Sequence, residues 1–276
     1  MNQNNFTLLH ATWLTTLFSS FALPQGELKG QLYDFSEIIY RHLRWVENAL
    51  LKQDVIISYE RPNLNFKYNN IGNMISTCKI MLEGLLEQYE GDDELSKRIS
   101  ADLQYIIFVL STNLTDETPL KAFNRELKLS DETELTPETI MTLVTFLFDE
   151  SYKEYELIVI YSYAQTRIDN QRIHEIFQIL IDESKFHLKS FAQIMTDLGI
   201  LTIPRFITSE IYAFDSLEKF LLDGIDEEEA AKEECRAIAQ SINHKPLRNF
   251  FNFINTQESY HIALMEEALE IFRNLK

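Results

Sequence analysis

The sequence predicts an all-α protein built from two antiparallel four-helix bundles in tandem. With 7 glycines and 6 prolines in 276 residues, the chain has less than half the average share of these residues, which disfavours β-rich and doubly wound α/β folds. Apolar residues recur with the helical period along most of the chain. A polar stretch near the middle separates two sets of four such segments, as tandem bundles require.

Composition and charge exclude several classes of function. Hydrophobic residues make up 45% of the chain, enough for a large core and too many for a disordered protein. The net charge of −18 disfavours nucleic-acid partners and anionic membrane surfaces. No uninterrupted apolar run reaches the length of about 18 residues that a membrane span needs. We therefore expect no nucleic-acid or membrane partner.

Cysteine use and the N-terminal segment favour a cytoplasmic protein. Cys78 and Cys235 lie far apart without a CxxC motif, which favours two reduced thiols over a disulfide framework. Residues 1–24 lack a positively charged start and carry His10 within their apolar run. We interpret this segment as an amphipathic helix rather than an export signal.

The first predicted domain spans residues 1–113 and contains four helices. Their apolar stripes run from Phe6 to Phe21, from Leu32 to Val46, from Ile71 to Tyr89 and from Leu95 to Val109. A polar linker is predicted over residues 114–136. It ends at Thr136-Pro137-Glu138, a helix start with proline at the first position.

The second predicted domain spans residues 137–276 and repeats this plan. Helices are expected over about 137–168 and 170–198, the latter ending before Gly199, a C-cap signal. A short helix is expected between Pro204 and Gly224. The last two helices are predicted to start near Asp226 and at Pro246.

Charged and imidazole side chains interrupt the apolar stripes of all four helices in this second domain. The side chains on or beside these stripes are Glu154, Glu183, His187, Glu228, Glu258 and His261. The interval from Glu154 to His187 equals the interval from Glu228 to His261. One constant offset in sequence position therefore relates the first pair to the second. We call this relation the internal repeat. It relates two further pairs: Tyr161 with Cys235, and Ser184 with Glu258.

Several carboxylates in one bundle core must be neutralised. An unpaired buried charge costs several kcal/mol, and neighbouring carboxylates also repel one another. Protonation of the carboxylates is one remedy. Pairing with Arg or Lys is a second, but these stripes offer no Arg or Lys. Divalent cations are the other remedy, and carboxylate with imidazole suits iron or manganese. Di-iron bundles combine a Glu from each of two helices with Glu-x-x-His from two others.

The second domain resembles the ferritin-like di-iron carboxylate superfamily, which includes rubrerythrins, bacterioferritins and encapsulated ferritins. The resemblance is carried by Glu154 with Tyr161, by Glu228 and by two segments, DESKFHLKSF and QESYHIALMEEAL. It implies a di-iron centre, with manganese as a substitute, and a bundle that commonly forms homodimers. It further implies that Glu154 and Glu228 each ligate one metal ion, that Glu258 bridges, and that the two histidines cap the site. Tyr161 would be a neighbouring donor or redox-active residue.

One expected ligand is missing from this pattern. The family's glutamate on the second helix falls on Ser184, and the acid beside it is Glu183. Positions i and i+4 share a helix face, so Glu183 could serve after a slight rotation or a π-bulge. Without it the site would lose a bridging carboxylate, and a centre with one metal ion or none stays open as an alternative. The reserve candidates are Glu150, Glu156, Glu227 and Glu229.

The first domain is interpreted as a degenerate copy that has lost its ligands. Its segment from Tyr40 to Trp45 resembles the segment from His187 to Phe191. A weak metal site of Glu37, His10 and His42 stays open as an alternative.

Two classes of function follow from these residues. The first is a ferritin-like metal-binding redox protein whose metal ions react with O2 or peroxide, acting as a ferroxidase, a peroxide reductase or an oxidase of an organic substrate. The second is a metal-free helical scaffold that binds partners and descends from a ferritin-like ancestor. Solvated glutamates and tyrosines that serve only packing would favour the second class. Whether the protein is an enzyme stays open at this point.

Overall fold

A computed structural model of the chain describes residues 2–120, 122 and 135–275. These residues form α-helices, short 3-10 turns and connecting loops, without β-strands, which confirms the all-α prediction. The helices are α1 (Gln3–Ala22), α2 (Glu27–Leu51), α3 (Ile71–Leu86), α4 (Glu94–Leu110), α5 (Pro137–Gln165), α6 (Gln171–Asp197), α7 (Ser209–Tyr212), α8 (Leu217–Ser241) and α9 (Lys245–Asn274). None of the described helices is long and apolar enough to cross a membrane.

The predicted linker over residues 114–136 is described only in part, since residues 121 and 123–134 lie outside the described residues. Its end agrees with the prediction. The Thr136 hydroxyl accepts a hydrogen bond from the Thr139 amide, and Pro137 occupies the first turn of α5. This cap fixes where α5 begins.

Helix α1 is buried around its whole circumference rather than amphipathic. From Leu9 to Ala22 every residue is buried. Three of its hydroxyl groups are satisfied within the helix, because Thr12, Thr15 and Thr16 each donate to the carbonyl four residues earlier. A helix with polar residues on several sides can therefore lie in a core.

The chain divides into two compact units whose composition differs from the predicted domains. The first contains the described residues of 1–127 and 192–209, and the second those of 128–191 and 210–276. Residues 192–209 were expected in the second domain. They join the first because Thr196 donates to the carbonyl of Phe21 at 2.7 Å and Arg61 donates to the carbonyls of Pro204 and Arg205.

In the second unit, α8 begins at Leu217, well before the predicted start at Asp226, and runs through Gly224. Ser216 caps it by accepting a hydrogen bond from the Lys219 amide. A side chain at Gly224 would place its Cβ only 3.1 Å from the Met265 sulfur on α9. The glycine expected to end a helix therefore permits close packing of α8 against α9.

Two glycines of α3 give a matched test of packing in the first unit. A Cβ at Gly72 would lie 2.4 Å from the Leu114 carbonyl oxygen, whereas one at Gly84 would meet no described atom within 4 Å. We expect Gly72→Ala to destabilise the protein by about 2 kcal/mol or more. Gly84→Ala should stabilise it by about 0.5–1 kcal/mol. Urea unfolding of both variants measures this, and equal effects would contradict the packing.

Candidate metal centre

Five of the predicted site residues meet in the interior of the second unit. They come from four helices and are Glu154 of α5, His187 of α6, Glu228 of α8, and Glu258 and His261 of α9. Each is at most 6% exposed. The alternative in which these side chains point into water is therefore excluded, and the predicted interruption of the apolar stripes corresponds to a real polar cluster.

The Glu258 carboxylate lies between the two imidazole rings. Its Oε1 atom is 3.7 Å from Nδ1 of His187, and its Oε2 atom is 3.0 Å from Nδ1 of His261. The ring centroids are 5.6 Å apart. Because Glu258 and His261 are three positions apart on one helix, the same turn presents both side chains.

Each imidazole also faces a carboxylate of its own. Nδ1 of His187 donates to Oε1 of Glu154 at 2.9 Å, and Nδ1 of His261 is 3.4 Å from Oε2 of Glu228. The cluster thus consists of two triads that share Glu258. In each triad the possible ligand atoms all lie within 4.8 Å of one another.

Glu183 lies on the outer side of His261, away from the two triads. Its Oε2 atom accepts a hydrogen bond from Nε2 of His261 at 2.6 Å. The expected helix rotation that would bring Glu183 to the position of Ser184 is therefore not observed. The carboxylate orients the imidazole from behind, as the outer partners of histidine ligands commonly do.

Gln257 plays the corresponding part at His187 and was missed in the sequence. Its Oε1 atom accepts a hydrogen bond from Nε2 of His187 at 3.2 Å. The signal was available, because the internal repeat that relates the two histidines also carries Glu183 to Gln257. The repeat therefore extends beyond the possible ligands to the residues that support them.

Ser184 occupies the place in the repeat that corresponds to Glu258. It is 1% exposed, lies one turn before His187, and its hydroxyl has no hydrogen-bond partner among the described residues. Within the same part of the chain, neither triad contains a carboxylate from α6. The cluster therefore has Glu258 as its shared carboxylate, without a counterpart on α6.

Tyr161 lies two turns beyond Glu154 on α5 and is 1% exposed. Its hydroxyl finds no hydrogen-bond partner in the described part of the chain, and its ring stacks on Phe177 with centroids 5.8 Å apart. Burial, and then the carboxylates of Glu228, Glu154 and Glu258, raise the pKa of Tyr161 well above its usual value. The phenol therefore stays protonated beside the cluster.

The reserve candidates lie outside both triads. Glu150 is buried and pairs with Lys153 at 2.6 Å. Burial raises its pKa to about 7, although Lys153 acts in the opposite direction. Glu156 is half-buried, while Glu227 and Glu229 are exposed on either side of buried Glu228.

The first unit does not assemble the alternative site of Glu37, His10 and His42. Among the described residues, both groups that could hold a metal ion lie in the second unit. His42 instead forms a 2.9 Å hydrogen bond with Asp102. His10 packs against Trp13, and burial, assisted by Arg61, lowers its pKa to about 3.

The two imidazoles of the cluster supply positive charge to its carboxylates. Burial alone would lower the pKa of His187, but Glu154 and then Glu258 outweigh it and raise the pKa to about 9. Burial is likewise outweighed at His261, whose hydrogen bonds to the surrounding carboxylates raise its pKa to about 12. Burial raises the pKa of Glu258 to about 7 against the opposing effect of His261. In the described part of the chain, no Lys or Arg pairs with the three triad carboxylates.

These pKa values predict that, in the presence of a chelator, the free energy of unfolding falls as the pH rises from about 7 to about 8.5. The folded state holds protons on His187 and His261 that the unfolded chain, with histidine pKa values near 6.5, releases. Stability conferred by a raised pKa is complete below 6.5 and is lost towards the folded values of about 9 and about 12. Each imidazole should contribute a fall of about 1.4 kcal/mol per pH unit.

Urea unfolding in the presence of a chelator measures this slope. His187→Gln should remove about half of it, since the second imidazole still titrates. A free energy of unfolding that stays constant over this pH range in the unsubstituted protein would show that the rings are not charged.

We compared the chain with protein-family models, curated proteins and solved structures, and none of them matches it. The resemblance to ferritin-like proteins therefore stays a prediction from the residues. The geometry of the site is that of two triads of carboxylate and imidazole groups that share Glu258.

Proposed function

We propose that the second unit binds two divalent first-row metal ions, iron first and manganese as the substitute, and acts as a ferritin-like redox protein. The observation that carries the proposal is the pair of triads that share Glu258. One position would use Glu154, His187 and one oxygen of Glu258. The other would use Glu228, His261 and the second oxygen. The two units would then be related four-helix bundles, of which only the second has a site.

The donor atoms fit such ions. Carboxylate oxygen and imidazole nitrogen are ligands typical of iron and manganese. The Nδ1 atoms face the triads while the Nε2 atoms donate outward to Glu183 and Gln257, the arrangement that orients histidine ligands in metal sites. Three buried carboxylates would also compensate much of the charge of two divalent ions.

The ions would supply redox chemistry with O2 or peroxide, and the chain would supply a dry, acidic surrounding. Tyr161 would donate a proton or an electron, and two observations support this role: its buried hydroxyl has no partner among the described residues, and the triad carboxylates act on it electrostatically. We therefore propose Tyr161 as the residue that acts in the reaction without ligating an ion.

A metal-free scaffold is the second candidate, and one observation favours it. The imidazoles already pair with the carboxylates, so the cluster is largely neutralised without an ion. Ser184 also removes the second shared carboxylate that the family pattern implies. On this alternative the cluster would only fix the packing of α5, α6, α8 and α9.

Titration with Fe(II) under anaerobic conditions distinguishes the two candidates. We expect about two ions per chain, with both lost in Glu258→Gln because both positions use that carboxylate. Glu154→Gln should retain one ion, since it removes a ligand from only one triad. Glu150→Gln is the matched control, because Glu150 is buried on the same helix but lies outside both triads.

Isothermal titration and elemental analysis give the stoichiometry. Absence of binding in the unsubstituted protein, or equal binding in the Glu258→Gln protein, would favour the scaffold. The folded state of each variant is checked by circular dichroism, so that lost binding is not confused with unfolding.

Admission of air to the Fe(II)-loaded protein tests the redox part of the proposal. We expect near-ultraviolet absorbance of oxidised iron to develop, and Tyr161→Phe to slow it by about a hundredfold while two ions still bind. Stopped-flow absorbance gives the rate. An unchanged rate in the Tyr161→Phe protein would assign this residue to packing against Phe177 alone.

A further inference from the structure

The two proposed metal positions are alike in their ligands but differ in what stands behind each imidazole. Nε2 of His261 donates to the carboxylate of Glu183 at 2.6 Å. Nε2 of His187 donates to the amide oxygen of Gln257 at 3.2 Å. Since the internal repeat relates Glu183 to Gln257, the same structural position carries a negative charge in one copy and a neutral group in the other.

This difference changes the imidazole as a ligand. A carboxylate that accepts the outer N–H hydrogen bond increases electron donation by the ring and holds its orientation more firmly than an amide does. Its charge also attracts a cation on the far side of the ring. Glu183 is only 26% exposed, so water screens this attraction incompletely.

Other charged residues nearby do not cancel the difference in charge between the two metal positions. Each position has one carboxylate of its own, and both share Glu258. Glu150, the further buried acid near Glu154, is paired with Lys153 and adds little net charge to the His187 position. The acids beside Glu228 are in contact with water, which screens their effect on the His261 position.

We propose that the two positions are unequal, and that the one formed by Glu228, Glu258 and His261 binds its cation first because Glu183 supports His261. The inference rests on the proposed function, since it concerns the filling of that centre. Glu183 is then a positioning residue and not a ligand. Gln257 keeps the other position weaker, so that the centre loads in two steps.

Single-position proteins separate the two affinities, with Co(II) as the probe. Glu154→Gln leaves the His261 position intact, and Glu228→Gln leaves the His187 position intact. We expect the Glu154→Gln protein to bind its one ion at least about tenfold more tightly than the Glu228→Gln protein, the range in which outer partners of histidine ligands act. Isothermal titration calorimetry measures both affinities.

Exchanging the outer partners tests the cause. Glu183→Gln should weaken binding about tenfold in the Glu154→Gln background and leave the Glu228→Gln background unchanged. Gln257→Glu should strengthen binding in the Glu228→Gln background, a gain that misfolding would not produce. Equal affinities of the two single-position proteins, or an equal effect of Glu183→Gln on both, would overturn the inference.

The outcomes for the inference and for the proposed function can be told apart. Two ions of equal affinity in the unsubstituted protein would contradict the inference and leave the dinuclear centre standing. No Co(II) binding in the unsubstituted protein would contradict both. A first step that weakens with Glu183→Gln and a second that strengthens with Gln257→Glu would support both.

Discussion

The arrangement of the second unit depends on one buried carboxylate that faces two imidazoles. Glu258 presents one oxygen to His187 and the other to His261, and Glu154 and Glu228 complete the cluster from two further helices. Removing such a carboxylate would leave buried partners unpaired, which is more costly than the loss of a surface pair. The polar cluster therefore constrains the register of four helices at one level of their length.

The internal repeat shows which residues of the polar cluster have an equivalent in the other half of the repeat and which do not. The internal repeat relates the two acids that each face one ring, and it relates the two histidines. It also relates the polar partners behind the rings, Glu183 and Gln257. The shared carboxylate has no such equivalent, because the position that corresponds to Glu258 in the repeat is Ser184. A second shared acid would add negative charge to a cluster that already holds three carboxylates and two imidazoles.

Local signals in the sequence were sufficient for the helices and for most of the site. Caps such as Thr136 and the helical period placed most helix boundaries closely, and the equal spacing of the two Glu–His pairs identified four members of the cluster. The predicted start of α8 was wrong because a glycine such as Gly224 is typical of a helix end. Its role here is to allow close packing against Met265 of another helix. The grouping of residues 192–209 with the first unit likewise depends on long-range hydrogen bonds, to Phe21 and Arg61. The side of the ring on which Glu183 lies is fixed by three-dimensional packing, which helix periodicity alone does not specify.

A cation that binds in this cluster would compete with protons for the Nδ1 atoms of the two imidazoles. Nδ1 of His187 donates to Glu154 and Nε2 donates to Gln257, so both ring nitrogens have hydrogen-bond partners. An ion that enters either triad would therefore have to displace the proton from Nδ1 of the imidazole in that triad. The affinity of the centre would then be set by how strongly each ring is held from behind, which gives the residues at 183 and 257 their importance.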